Sequence, residues 1–175
     1  MFARLTAMLL LLCAIGGAWA APAYIEQNLN QPRLAGKGVY TWFGLRIYEA
    51  ELWVGEQGYA PGAPFVLELR YARKLDGAKI AAASADEMAK LGAGTPAQRT
   101  AWLARMKEIF PDVNEGTRIS GVSLASGGVQ FYLDGKALAK VADPEFANAF
   151  FAIWLDPKTS AASLRTALLK EAAPR

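Results

Sequence analysis

Between Leu34 and Trp53 the chain reads LAGKGVYTWFGLRIYEAELW, two successive runs of β-branched and aromatic residues broken by Gly36, Gly38 and Gly44. Polar side chains recur among large apolar ones, which suits strands of a sheet whose two faces differ in role. The pattern predicts strands over residues 38–43 and 45–54. Period-two alternation in the second places Arg46, Tyr48, Ala50, Leu52 and Val54 on one face, against Leu45, Ile47, Glu49, Glu51 and Trp53 on the other. The first set reads as the inward one, so Arg46 and Tyr48 are candidates for ligand contact. Glu49 and Glu51 then alternate on an exposed face.

The rest of the chain supplies more strands and the helices to cover them. Residues 21–33 carry Pro22 and Pro32 without a clear period and read as a lead-in with a short edge strand. Residues 64–72 form a third strand, with Phe65, Leu67, Leu69 and Tyr71 together against Val66, Glu68 and Arg70. Asp76-Gly77 opens a helix with an alanine-rich stripe, and Thr95-Pro96 with Gln98 forms a capping box for a second, whose apolar side holds Trp102, Leu103, Met106, Ile109 and Phe110. Strands at 117–124, 129–133 and 136–141 are joined by Ser126-Gly127-Gly128 and Asp134-Gly135, an antiparallel meander. Asp143-Pro144-Glu145 starts a helix in which Phe146, Phe150 and Trp154 share a buried face, and Thr159 or Ser160 caps a last one. Strands, two helices, strands, two helices describe an α+β domain with helices packed on an antiparallel sheet.

Residues 1–20 read as a signal peptide: Arg4, the apolar run Leu5–Ile15, then Ala18-Trp19-Ala20 as a small-x-small cleavage site. That run is too short to cross about 30 Å of hydrocarbon as a helix. Cys13 follows the large Leu12, which disfavours lipidation. One domain over residues 21–175, periplasmic or secreted, is the expectation. Cleavage after Ala20 removes the only cysteine, and the chain has no histidine. Thiol or Ser-His nucleophiles, thiolate or imidazole metal sites and redox pairs are thereby excluded, and no cofactor or metal is expected. A formal net charge of +3 without a basic cluster gives no reason to expect a nucleic-acid partner.

The order of these blocks resembles the chalcone isomerase-like family, in its bacterial, exported branch. The likeness is carried by Leu34, Gly36 and Gly38, then Tyr48, Ala50, Leu52 and Trp53, and by Leu69-Arg70-Tyr71. Downstream it continues through Ile119 to Lys136, Phe146 to Leu155 and Ser163 to Leu169. The resemblance implies an open-faced β-sandwich with a cleft between sheet and helices. In the plant enzymes an arginine and a threonine on the opening strands, with a tyrosine and an asparagine on the next helix, organise flavanone closure; fatty-acid-binding relatives hold a carboxylate with an arginine and a tyrosine. Here Tyr40 stands at the arginine position and Ile80 at that of the helix tyrosine. A neutral phenol neither polarises a phenolate nor pairs bidentately with a carboxylate, which argues against flavanone closure. The reading is a non-catalytic protein that takes an apolar or amphipathic small molecule, such as a fatty acid, with Tyr40, Arg46 and Tyr48 as its contacts. Isomerase activity of the chalcone isomerase type and an envelope interaction module with a vestigial cleft stand beside it.

Overall fold

Strands joined by tight turns pair with their neighbours, and the sheet keeps sequence order even where two helices separate its third and fourth strands. The computed structural model describes residues 21–174; the predicted signal over 1–20 lies outside the described residues. Its strands are β1 (Arg33–Trp42), β2 (Leu45–Val54), β3 (Phe65–Tyr71), β4 (Arg118–Ser123), β5 (Val129–Leu133) and β6 (Lys136–Val141). They form one antiparallel sheet in the order β1-β2-β3-β4-β5-β6. The helices are α1 (Ala23–Glu26), α2 (Gly77–Lys90), α3 (Pro96–Ile109), α4 (Pro144–Leu155) and α5 (Ala162–Leu168). This is the expected α+β architecture.

The helix starts behave as their side chains dictate. Thr95 Oγ1 accepts from the Gln98 backbone N–H at 3.2 Å, and Gln98 Oε1 accepts from the Thr95 N–H at 2.8 Å. Asp143 Oδ1 accepts from the N–H groups of Glu145 and Phe146, while its Oδ2 accepts from Trp102 Nε1 at 3.0 Å. One carboxylate therefore caps α4 and ties it to α3. The last helix starts differently: α5 begins at Ala162 with no side-chain cap, because Thr159 bonds the Ile153 carbonyl and Ser160 reaches across to Glu87.

The main core lies between the sheet and α2–α5. Phe65, Leu67, Leu69 and Tyr71 of β3 meet Phe146, Phe150, Phe151 and Trp154 of α4 there. Rings of Phe110, Phe131, Phe146 and Phe150 pack edge to face or offset at centroid separations of 5.1 to 6.4 Å. Gly36 and Gly38 on β1 form a flat seat for α5: a Cβ at Gly36 would lie 2.1 Å from the Ala167 carbonyl oxygen, and one at Gly38 would lie 2.8 Å from Leu164 Cδ1. The chain after α5 then clasps the start of β1. Glu171 N–H donates to the Ala35 carbonyl at 2.8 Å, Tyr59 N–H to the Ala172 carbonyl at 2.8 Å, and the Arg33 guanidinium to the carbonyls of Glu171 and Ala173.

The opposite face of the sheet holds a smaller cluster, and here three expectations fail. The segment over 21–33 forms no edge strand; Ala23–Glu26 is a single helical turn whose Tyr24 and Ile25 pack with Leu29, Trp53, Val66 and Val122. The first strand starts at Arg33 rather than near Gly38, and Phe43 belongs to the turn. Glu51 is half-buried, its carboxylate accepts from Trp53 Nε1 at 3.1 Å, and it stands directly across from buried Glu68. Burial, then the Glu68 charge, raises the Glu51 carboxyl above its ordinary range. Tyr24 holds the turn down: its hydroxyl donates to the Glu68 carboxylate and lies 2.9 Å from Ser120 Oγ.

Candidate functional site

Between the helix-facing side of β1–β4 and the helices α2 and α4 lies a cavity of about 490 Å³. The strands contribute Tyr40, Trp42, Ile47, Tyr48, Leu69, Tyr71 and Ile119 to its wall. Ile80, Ala83 and Ser84 of α2, Phe110 after α3, and Phe150, Ile153 and Trp154 of α4 close it. Exposed Lys79, Asp86, Lys90 and Ser160, with partly buried Glu87, stand at its mouth. The wall is thus mainly apolar and aromatic, with charge only at the opening.

Three tyrosines line up along one side. Tyr40 and Tyr48 are cross-strand partners with stacked rings at 5.1 Å, and Tyr48 and Tyr71 are partners across β2 and β3 with rings at 5.9 Å, edge to face. Tyr48 Oη accepts from Trp154 Nε1 at 2.9 Å. Burial raises the Tyr48 phenol above its ordinary value; the Trp154 hydrogen bond opposes that shift without cancelling it. Burial does the same to Tyr71. Both phenols therefore keep their protons at neutral pH. No group among the described residues hydrogen-bonds the Tyr71 hydroxyl, although the residue is only 4% exposed.

The cations at the mouth are already matched. Lys90 Nζ lies 2.7 Å from Glu87, whose other oxygen accepts from Ser160 Oγ at 2.6 Å, and Lys79 lies 3.0 Å from Asp76. Burial works against the charged Glu87, but the hydrogen bonds from Lys90 and Ser160 outweigh it and hold the carboxyl below its usual range. Through Ser160 this pair links α2 to the segment before α5.

Of the residues singled out in the sequence, Tyr40 and Tyr48 are brought together on the cavity wall. Arg46 is not among the lining residues; its side chain is 56% exposed and pairs with Glu49 at 3.2 Å. The reason is a β-bulge: Tyr40 pairs with Tyr48 but Thr41 pairs with Arg46, so Ile47 is the extra residue and the alternation that put Arg46 beside Tyr48 is broken. Ile47 takes a place in the wall instead. Tyr71 was legible as inward-facing on β3 but not as part of a site, and Trp154 as core but not as the partner of Tyr48. Among the described residues no cluster of acidic or sulfur ligands suits a metal ion, and no helix is long and apolar enough to cross a membrane.

A family model described as chalcone isomerase-like matches residues 17–170. Among solved structures, the crystal structure of a fatty-acid binding protein from Arabidopsis thaliana aligns with a TM-score of 0.64 at 12% sequence identity, over 81% of this chain and 88% of that one. At that identity the likeness is one of fold. No curated protein sequence matches the chain. The family match spans nearly all of the described sheet and helices and agrees with their order, so the chain belongs to the chalcone isomerase-like family.

Proposed function

We propose that this protein is a non-catalytic binder of an apolar or amphipathic small molecule, of which a fatty acid is one example, held in the cavity between sheet and helices. The observation that carries the reading is the cavity itself: about 490 Å³ of mostly apolar space whose polar side chains are the tyrosines, Ser84, Trp42, Trp154 and the groups at the mouth. That volume lies within the range of small-molecule sites. The fatty-acid binding neighbour of the same fold supports it. Tyr40 and Tyr48 are the proposed contacts, and an Arg46→Gln substitution asks whether that charge reaches a ligand. Catalysis of flavanone closure has less support, since a phenol occupies the arginine position and the mouth lysines are engaged by carboxylates.

The reading extends to export, with cleavage after Ala20 and a periplasmic or secreted product. Native mass spectrometry of protein purified from cell extract, followed by denaturation, tests the binding claim. A released amphiphile at about one per chain supports it; a chain that is bare and remains bare when titrated with fatty acids refutes it. The amino-terminal sequence of the exported product tests the cleavage site.

A further inference from the structure

We infer that the buried end of the cavity recognises an uncharged oxygen acceptor, of the carbonyl class found in ketones, aldehydes and esters, and not a carboxylate. This rests on the cavity being a ligand site, and it concerns which chemical group points inward.

The argument starts from the two inner tyrosines. Tyr48 Oη already accepts a hydrogen bond from Trp154 Nε1, so what it has left to offer is its own proton. The Tyr71 hydroxyl has no partner among the described residues, yet the side chain is almost wholly buried and forms part of the cavity wall. Among the described residues the enclosed side-chain polar atom without a partner is Arg33 Nε, so the Tyr71 hydroxyl opens onto the cavity, where water or a ligand satisfies such a donor. Tyr48 and Tyr71 are direct cross-strand partners with ring centroids 5.9 Å apart, and both line the cavity. The wall they share includes Leu69, Phe110, Ile119, Phe150 and Ile153, which add no charge, and apart from Ser160 at the mouth its other hydroxyls are those of Tyr40 and Ser84.

The sign of the group follows from the surrounding charges. The cations that line the cavity are Lys79 and Lys90, both exposed at the mouth and both paired with carboxylates. A carboxylate carried to the inner end would lose its water without meeting a cation, a far larger cost than two phenolic hydrogen bonds return. A carbonyl oxygen loses little on leaving water and has lone pairs for both donors. A fatty acid accordingly enters tail first, leaving its carboxylate at the mouth, whereas a ketone or ester of similar length enters head first.

The test compares a medium-chain methyl ketone with the alkanoate and the alkane of matched length, by displacement of the uncharged fluorophore N-phenylnaphthylamine at neutral pH. Wild type, Tyr71→Phe and Ile80→Trp are measured together. Tyr71→Phe removes a hydroxyl that no described residue uses, and its near-ultraviolet circular dichroism checks that the core is intact. The expected result is that Tyr71→Phe weakens the ketone about fivefold while leaving alkane and alkanoate within about twofold. An unchanged ketone affinity in Tyr71→Phe, or an equal loss for ketone and alkanoate, overturns the inference and leaves the cavity reading standing. If the fluorophore fails to bind wild type, or if filling the cavity in Ile80→Trp changes nothing, the cavity reading falls and the inference falls with it.

Discussion

Replacing Gly36 by alanine probes the seat of α5 on β1 directly. The added Cβ would meet the Ala167 carbonyl oxygen at 2.1 Å and the Leu168 carbonyl oxygen and carbon at 2.5 and 2.7 Å, all backbone atoms that no rotamer change can move. Carbon–oxygen contacts settle at about 3.3 Å, so α5 must retreat by roughly 1 Å. Leu164 and Leu168 are the residues it buries, each worth about 1.5–3 kcal/mol when fully withdrawn from water. A gap of that size forfeits about a quarter to a half of such contacts, and residual overpacking adds about 1–3 kcal/mol. Alanine returns about 0.5–1 kcal/mol through its lower backbone entropy. The net expectation is a loss of about 2–4 kcal/mol, read as a lower urea midpoint at unchanged slope by tryptophan fluorescence, with Tm lower by roughly 5–15 °C. Gly62→Ala is the control: nothing lies within 4 Å of its added Cβ, and its positive φ of 77° should cost about 1 kcal/mol. If Gly36→Ala stays within about 0.5 kcal/mol of wild type while the control behaves as expected, α5 is not seated on β1 and the reasoning fails.

Other sites give shorter tests. Asp143→Ala removes the α4 cap and the acceptor of Trp102 Nε1 together and should destabilise by about 2–4 kcal/mol in urea, with Asp143→Asn recovering most of it. Glu51→Gln should raise stability at neutral pH by no more than about 1 kcal/mol, since the site is half-exposed. The folded-state carboxyl is raised, so its contribution is fully present below the unfolded pKa and is lost as pH rises through the folded one; the variant's advantage should therefore vanish in acid, and an advantage that persists there would count against this sign. Phe43 and Gly44 both have positive φ, 47° and 74°, in a two-residue hairpin turn that favours Asn-Gly. Phe43→Asn should stabilise by about 0.5–1 kcal/mol in thermal melts, and a clear loss would mean that the 86% exposed Phe43 ring has a packing role.

What could be read before folding was whatever a local rule governs. The strands over 45–54, 129–133 and 136–141 carry their alternation openly, and the starts of α3 and α4 are written in Thr95-Pro96 with Gln98 and in Asp143-Pro144. The failures lie where a distant partner decides. Residues 23–26 lack a helical period, and their turn is stabilised by Tyr24 reaching Glu68 and Ser120 on the sheet. The bulge at Ile47 depends on how β1 and β2 pair near their turn, which no alternation within β2 can reveal, and it decides that Tyr48 faces the cavity without Arg46. Tyr40 and Tyr48 were legible through the family resemblance and the strand face. The meeting of Tyr71 with Tyr48, and of Trp154 with Tyr48, needs β3 and α4 in place.

The clasp between the two ends of the described chain bears on the order in which the molecule can be finished. Ala35 and Arg33 receive their partners from Glu171 to Ala173, so the edge strand β1 stays bare at its start until those residues have been made. A chain emerging from a ribosome can build β2 to α4 by neighbour-to-neighbour pairing, but this closure joins residues far apart in sequence and comes at the slow end of assembly. Until then β1 is a template for pairing with another copy, and a chain that stops short of Glu171 keeps that edge open.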